Sequence, residues 1–172
     1  GAFDDLARAA RLQPNVDLVI GNINLIDQHD KVLRDVHYVK PSYGALLAEG
    51  MVLTNQAAFW RRSVHREIGW LNESLHYSFD YEWFLRLTEN RKGTSVNKIW
   101  GGYRLHDATK TNTQNQRFVE ENADILRGRT MPNWKKSLFR LRRVALMLLQ
   151  GDFAYFTRGF FRRLTGKGGA LY

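Results

Sequence analysis

The sequence predicts an α/β fold that is followed by a strongly basic helical extension. A helical pattern over 3–13, a Pro14-Asn15 turn and a β-branched run over 16–22 together make an α/β unit. Apolar residues make up 44% of the chain and charged residues 25%, as in globular proteins that bury a core. Residues 133–172 hold nine Lys and Arg against one acid, a net of +8 out of +9 for the whole chain.

Composition excludes several classes of protein. The chain has no cysteine, which rules out a disulfide scaffold, a thiolate metal site and cysteine catalysis. The longest apolar run near the C-terminus covers 144–149, far short of the roughly 20 residues that span a bilayer. Residues 1–5 lack the basic start and apolar stretch of a signal peptide. A helix with no strand before it has two interpretations: a plain N-terminal helix, or the latter part of a longer chain.

The middle of the chain alternates between strand and helix patterns. The predicted strands cover 32–39, 51–60 and 94–103, and the predicted helices cover 43–49, 61–69 and 80–90. Gly69 is expected to end the second of these helices. In the third, Trp83, Phe84 and Leu87 share the apolar side that we expect to be buried.

The character changes after Thr109, which divides the chain into a portion over 1–109 and an extension over 110–172. The extension begins with a polar loop over 110–116, and three helices are predicted over 118–126, 132–151 and 153–164. Pro132 suits the start of the second, since proline is favoured in a first helical turn.

Asp80 begins the helix over 80–90 and is the strongest candidate for chemistry. It has two interpretations from the residues alone: an N-cap that satisfies the helix start, or a general base that takes a proton from a hydroxyl. His106 follows the last predicted strand, where it is either a metal ligand or a loop residue. The other histidines show no paired ligand spacing, so a zinc site is not expected.

Four segments together resemble the family 2 glycosyltransferases. They are Gly21-Asn22 after a hydrophobic strand, FWRRSV at 59–64 with GWLNESL at 69–75, FDYEWFLRL at 79–87 and YRLH at 103–106. Their order and spacing are similar to the later half of that family's GT-A fold, a Rossmann-like mixed sheet with flanking helices. Trp60 departs from the family's shorter apolar residue, and Asn22 stands where an aspartate is common.

The resemblance implies an inverting transferase that moves a sugar from a nucleotide-sugar donor to a hydroxyl of a saccharide or lipid-linked acceptor. Asp80 matches the family's base for that hydroxyl, and Asn55 and Gln56 match the segment beside the acceptor pocket. Arg104 matches a position near the donor diphosphate. His106 matches a residue that completes the coordination of a divalent metal, Mg²⁺ or Mn²⁺. Such enzymes serve polysaccharide or glycan synthesis on the cell surface.

The family's nucleotide-binding strands and its Asp-x-Asp metal motif lie before the helix that matches residues 3–13. No Asp-x-Asp occurs in this chain, and Asp4-Asp5 is the nearest acidic pair. The resemblance therefore implies the acceptor half of the enzyme, with the nucleotide-binding half missing and with no sugar transfer by this chain alone.

The basic extension favours an anionic partner. Apolar residues at helical spacing predict two amphipathic helices over 133–164 that lie on an anionic membrane surface, which would place the protein in the cytoplasm on the inner face of the cell membrane. The other interpretation of the first helix is that its leucines pack on the domain. The alternative function is a non-catalytic basic module for membrane or nucleic acid, but the first 132 residues carry a net of only +1 and no nucleic-acid motif. We therefore expect no nucleic-acid partner.

Overall fold

A computed structural model describes residues 1–105 and 115–164, without the side chains of 115 and 162–164. Within these residues, four strands form one mixed sheet and seven α-helices surround it, which confirms the α/β prediction. The strands are β1 (Leu18–Ile26), β2 (Val32–Val36), β3 (Ala58–Trp60) and β4 (Gly93–Arg104). The helices are α1 (Ala2–Leu12), α2 (Tyr43–Glu49), α3 (Val64–Ile68), α4 (Phe79–Asn90), α5 (Asn115–Ile125), α6 (Asn133–Leu149) and α7 (Phe153–Leu164).

Strand β1 is the centre of the sheet. Strand β4 runs parallel along one of its edges, and β2 and β3 share the other edge in antiparallel pairing. The side chains of its first six residues are all buried, as expected for a strand with a neighbour on each edge.

Three strand predictions differ from the structure. Strand β2 ends at Val36, whereas its prediction extended to residue 39. Strand β1 continues to Ile26 because Asn22, which looked like a strand end, is accommodated in the interior. Its side-chain oxygen accepts from the Tyr38 amide at 2.9 Å, and its nitrogen donates to Asn97 at 2.7 Å. In the stretch over 51–60, only β3 is a strand, and it follows a 3₁₀ turn at Asn55–Ala57.

Helix α4 lies in the main core. Trp83, Phe84 and Leu87 are buried as predicted, and Tyr81 and Leu85 are buried as well. The Tyr81 hydroxyl donates to the Leu46 carbonyl of α2 at 2.9 Å, and burial raises its pKa to about 12. Helix α4 is therefore fixed on several sides, which holds its first turn in a defined place.

The helices after residue 115 pack back onto the α/β portion. Helix α6 contacts α2 so closely that a Cβ at Gly44 would overlap the Phe139 ring. The Arg143 guanidinium also donates to the carboxylate of Glu49 at 2.8 Å. No helix in the described ranges has the length and apolar character needed to cross a membrane.

Helix α7 is attached to β2 by a cluster of charged groups. Both ring nitrogens of His37 lie 2.8 Å from a carboxylate oxygen, one from Asp35 and the other from Asp152. Arg158 of α7 also donates to Asp35 at 2.8 Å, and Tyr155 stacks on the His37 ring with centroids 4.5 Å apart. These contacts fix which face of α7 is turned toward the domain.

Candidate functional site

A cleft of about 660 Å³ lies between the α/β portion and the C-terminal helices. Its lining comes from the end of β2, the segment over 50–56, the first turn of α4 and residues of α5, α6 and α7. Asp80, Asn55 and Gln56, which were predicted from widely separated segments, all contribute to this lining. The structure thus brings three of the five predicted site residues together.

Asp80 is the second residue of α4, and Ser78 occupies the N-cap position. The N-cap interpretation of Asp80 is therefore wrong, because the helix begins at Phe79, one residue earlier than the residue pattern indicated. The Asp80 carboxylate accepts from the Tyr81 amide at 2.8 Å. Burial raises the pKa of Asp80, and the hydrogen bonds from backbone amides only partly offset it. A carboxylate with a raised pKa has more affinity for a proton, as a general base requires.

Asn55 and Gln56 lie in the 3₁₀ turn before β3, where both side chains are exposed. The Gln56 side-chain oxygen accepts a hydrogen bond from the Thr54 hydroxyl. The turn lies against β4 at Gly101, where a Cβ would come within 2.6 Å of the Gln56 carbonyl oxygen. Gly101 is therefore a positioning residue for this part of the cleft.

We expect Gly101→Ala to displace the turn at Asn55–Ala57 and to cost about 1–3 kcal/mol of folding free energy, because the new methyl group overlaps backbone. Gly102→Ala is the matched control, since its Cβ would lie 3.6 Å from its nearest neighbour, an ordinary contact. Amide chemical shifts at 55–57 and urea unfolding measure both effects. Equal results for the two variants would contradict a positioning role for Gly101.

Arg104 does not line the cleft. The Arg104 guanidinium binds the turn between β1 and β2, where it donates to the Asp27 carbonyl at 3.1 Å and to the Asp30 carboxylate at 2.6 Å. Its assignment to a diphosphate stays a prediction. His106 lies outside the described residues.

Glu121 of α5 binds the loop over 76–78, which lines one side of the cleft. Its carboxylate accepts from the consecutive amides of His76, Tyr77 and Ser78, at 2.8 Å, 2.9 Å and 2.8 Å. Burial acts to raise the pKa of Glu121, but the three amide hydrogen bonds outweigh it and the pKa lies below its ordinary value. The ionised carboxylate therefore holds the loop before α4 in place.

Three side chains of the cleft lining carry buried polar atoms with no hydrogen-bond partner in the described part of the chain. They are the Ser78 hydroxyl, Oδ1 of Asn122 and Oε1 of Glu49. Buried polar groups are nearly always paired, so each of these atoms is suited to a polar group of a ligand. Aromatic rings add to the same lining: Tyr38, Tyr77, Phe79, Tyr81, Tyr103, Phe118 and Tyr155.

A metal site is not formed by the residues that the structure describes, in which no three His, Asp or Glu side chains are placed to hold an ion.

No protein-family model matches this chain. No curated protein matches it either. The resemblance to glycosyltransferases therefore depends on the four sequence segments alone.

Several cleft residues were not predicted from the sequence. Glu121 is separated from the amides that it binds by more than 40 positions, and nothing in its local pattern signals that contact. Asn122 and Tyr155 were placed only on predicted helices, whose approach to the cleft depends on tertiary packing. The N-cap position of Ser78, in contrast, could be recognised from the sequence, because a serine before an acidic helix start is a common N-cap.

Proposed function

We propose that this chain carries the acceptor side of an inverting, nucleotide-sugar-dependent glycosyltransferase with a GT-A fold. The observation that supports it most is Asp80, a carboxylate whose pKa is raised by burial and which lines a cleft together with Asn55 and Gln56. The order of the four family-like segments supports the same assignment. The product class that follows is a polysaccharide or a glycan of the cell surface.

In the proposed reaction, the Asp80 carboxylate takes the proton of an acceptor hydroxyl. The hydroxyl oxygen forms a bond to the anomeric carbon of the donor sugar while the bond from that carbon to the diphosphate breaks, with inversion. The electron pair of the broken bond leaves with the nucleoside diphosphate, and the proton stays on Asp80 until it passes to water. For this proton transfer, the acceptor hydroxyl must lie within hydrogen-bond distance of the Asp80 carboxylate.

The composition of the cleft fits a saccharide acceptor. Sugars present apolar faces together with many hydroxyls, and ligand sites combine aromatic lining with a few placed polar groups. The aromatic rings of the lining would cover the faces of a bound saccharide. Its hydroxyls would pair the Ser78, Asn122 and Glu49 atoms that lack a partner.

The donor side stays a proposal from the family resemblance alone. Nucleotide and divalent cation would be bound by strands and an Asp-x-Asp motif that precede the segment matching α1, with Arg104 near the diphosphate and His106 near the cation. The reaction would then take place in the cytoplasm.

We expect saccharides, but not nucleotides, to bind to this chain. Methyl glycosides of common hexoses should shift the amide signals of Asn55, Gln56 and Asp80, with millimolar affinity, and Gly101→Ala should weaken that binding. Titration with UDP, GDP or dTDP and Mg²⁺ should give no heat in calorimetry, because donor binding is assigned to other residues.

Two outcomes would contradict different parts of this proposal. If no glycoside in the panel perturbs the cleft, the saccharide assignment is wrong. If a nucleoside diphosphate binds with micromolar affinity, the restriction of this chain to the acceptor side is wrong.

A further inference from the structure

Helix α6 has an apolar row that the domain leaves uncovered. Its exposed members are Trp134, Leu138, Leu141 and Leu149, which are 56–83% exposed, with Ala145 among them. Their spacing places them on one side of the helix. The opposite side is occupied by contacts with the domain, through Phe139, Arg143 and the buried Met147. The expectation that the leucines at 138 and 141 pack on the domain is therefore wrong.

Helix α7 repeats this arrangement. Phe153, Phe156 and Phe160 recur at helical spacing and are 61%, 37% and 55% exposed. Tyr155, on the other side, stacks on His37 and is held in place by the contacts around Asp152. Neither helix can turn its apolar side inward without breaking these polar contacts. The two apolar sides are thus fixed outward by the fold.

We propose that the exposed apolar sides of α6 and α7 form a docking surface for an anionic lipid bilayer, in which the helices lie flat and do not cross. Basic residues accompany the apolar ones: Lys135 and Arg140 are exposed on α6, and the segment over 133–172 carries a net of +8. Leucine, phenylalanine and tryptophan bordered by basic residues are the composition of interfacial helices.

Charge and chemistry favour the bilayer over two other occupants. A second copy of this chain would bring two segments of net +8 together, which is unfavourable. Nucleic acid would complement the positive charge. The four exposed aliphatic and aromatic side chains in one row of α6, however, make no favourable contact with a phosphate backbone. An anionic bilayer satisfies both features, since headgroups meet the basic residues and acyl chains meet the apolar rows.

The surface lies close to the cleft. Arg143 of α6 and Tyr155 of α7 line the cleft, while the apolar sides of the same helices face away. Docking would hold the cleft about one helix diameter, ~10 Å, from the bilayer. On the proposed function, an acceptor carried on a lipid is then the substrate class that reaches Asp80. This last step depends on the proposed function, whereas bilayer binding itself does not.

Co-sedimentation of the full chain with vesicles tests the proposal without any measurement of activity. The chain should bind vesicles of phosphatidylcholine with phosphatidylglycerol at low salt and should be released at high salt, and it should bind pure phosphatidylcholine weakly. Leu141→Glu should reduce binding by tenfold or more, because burial of a leucine side chain is lost. Arg140→Ala should reduce it about fivefold.

Leu71→Glu is the matched control. Leu71 is 46% exposed in the loop after α3, so this substitution introduces the same side-chain change at a site away from α6 and α7. Circular dichroism should show all three variants folded, because each replaced residue is exposed. The proposal is overturned if the chain stays in the supernatant with anionic vesicles at low salt, or if Leu71→Glu is as harmful as Leu141→Glu. It is also overturned if the chain forms a dimer that Leu141→Glu dissociates, or if duplex DNA is bound and Leu141→Glu leaves vesicle binding unchanged.

Discussion

On the proposed function, Asp80→Asn is expected to lower sugar transfer by about 10²–10⁴-fold, with little change in acceptor binding. This is the usual contribution of a general base, and an asparagine at the same place cannot accept the proton of the hydroxyl. The side chain keeps its size, so the cleft keeps its shape. Steady-state kinetics should show the loss in kcat, while the KM for the acceptor changes little.

The same variant separates catalysis from stability. Burial raises the pKa of Asp80, so the folded state favours the protonated form and ionisation above the ordinary pKa of 3.8 costs folding free energy. That cost grows as the pH rises through the pKa of the folded state. Asparagine removes it, so Asp80→Asn should melt at or above the temperature of the wild-type protein at neutral pH. The difference should disappear below about pH 3.8.

Asp124→Asn is a suitable control for both measurements, because Asp124 is exposed on α5 and forms a surface ion pair with Arg127. It should leave transfer and melting temperature unchanged. Near wild-type turnover of Asp80→Asn would show that Asp80 is not the base. A lower melting temperature at neutral pH would show that its carboxylate stabilises the first turn of α4.

Local patterns were sufficient to predict most of the fold. The helix over 43–49 agrees with α2 at both ends, and Gly69 ends α3 with a φ of 80°, a conformation in which glycine carries no steric cost. The strand predictions were less accurate where a partner decides the structure. Strand β1 extends beyond Asn22, where β2 and β4 pair with it and where Asn97 and the Tyr38 amide bind the Asn22 side chain. The two partners of that side chain are 75 and 16 positions away in sequence.

The site was predictable in part for the same reason. Asp80 was marked by its place at a helix start, and Asn55 and Gln56 by their position among family-like segments. The shape of the cleft was not predictable from the sequence. It depends on the position of α5, which Glu121 fixes, and on that of α6, where Phe139 contacts Gly44. Such contacts depend on how helices pack. The apolar periodicity of one helix predicts which of its faces is buried, but not which other element packs against that face.

Asp152→Ala is expected to cost about 3–5 kcal/mol of folding free energy and to release α7 from β2. Asp152 is 5% exposed and accepts from His37 at 2.8 Å and from Asn97 at 2.9 Å. Removal of Asp152 leaves Nδ1 of His37 without its carboxylate, although Nε2 keeps Asp35. Loss of a buried carboxylate from a charged cluster is among the larger single-residue effects. Urea unfolding gives the free energy, and hydrogen exchange of the α7 amides reports the release.

Asp152→Asn should cost less, about 1–2 kcal/mol, because its side-chain oxygen can still accept from His37 and Asn97 and only the charge is lost. Asp124→Ala is the exposed control and should stay within about 0.5 kcal/mol of the wild type.

The cluster should also weaken in acid. Burial acts to raise the pKa of Asp35, but a backbone hydrogen bond, Arg158 and His37 together lower it. Its contribution to stability is therefore present above the ordinary pKa of 3.8 and is lost as the pH falls through the lower pKa of the folded state. If Asp152→Ala unfolds at the same urea concentration as the wild type, the cluster does not hold α7, and the outward placement of its phenylalanines needs another cause.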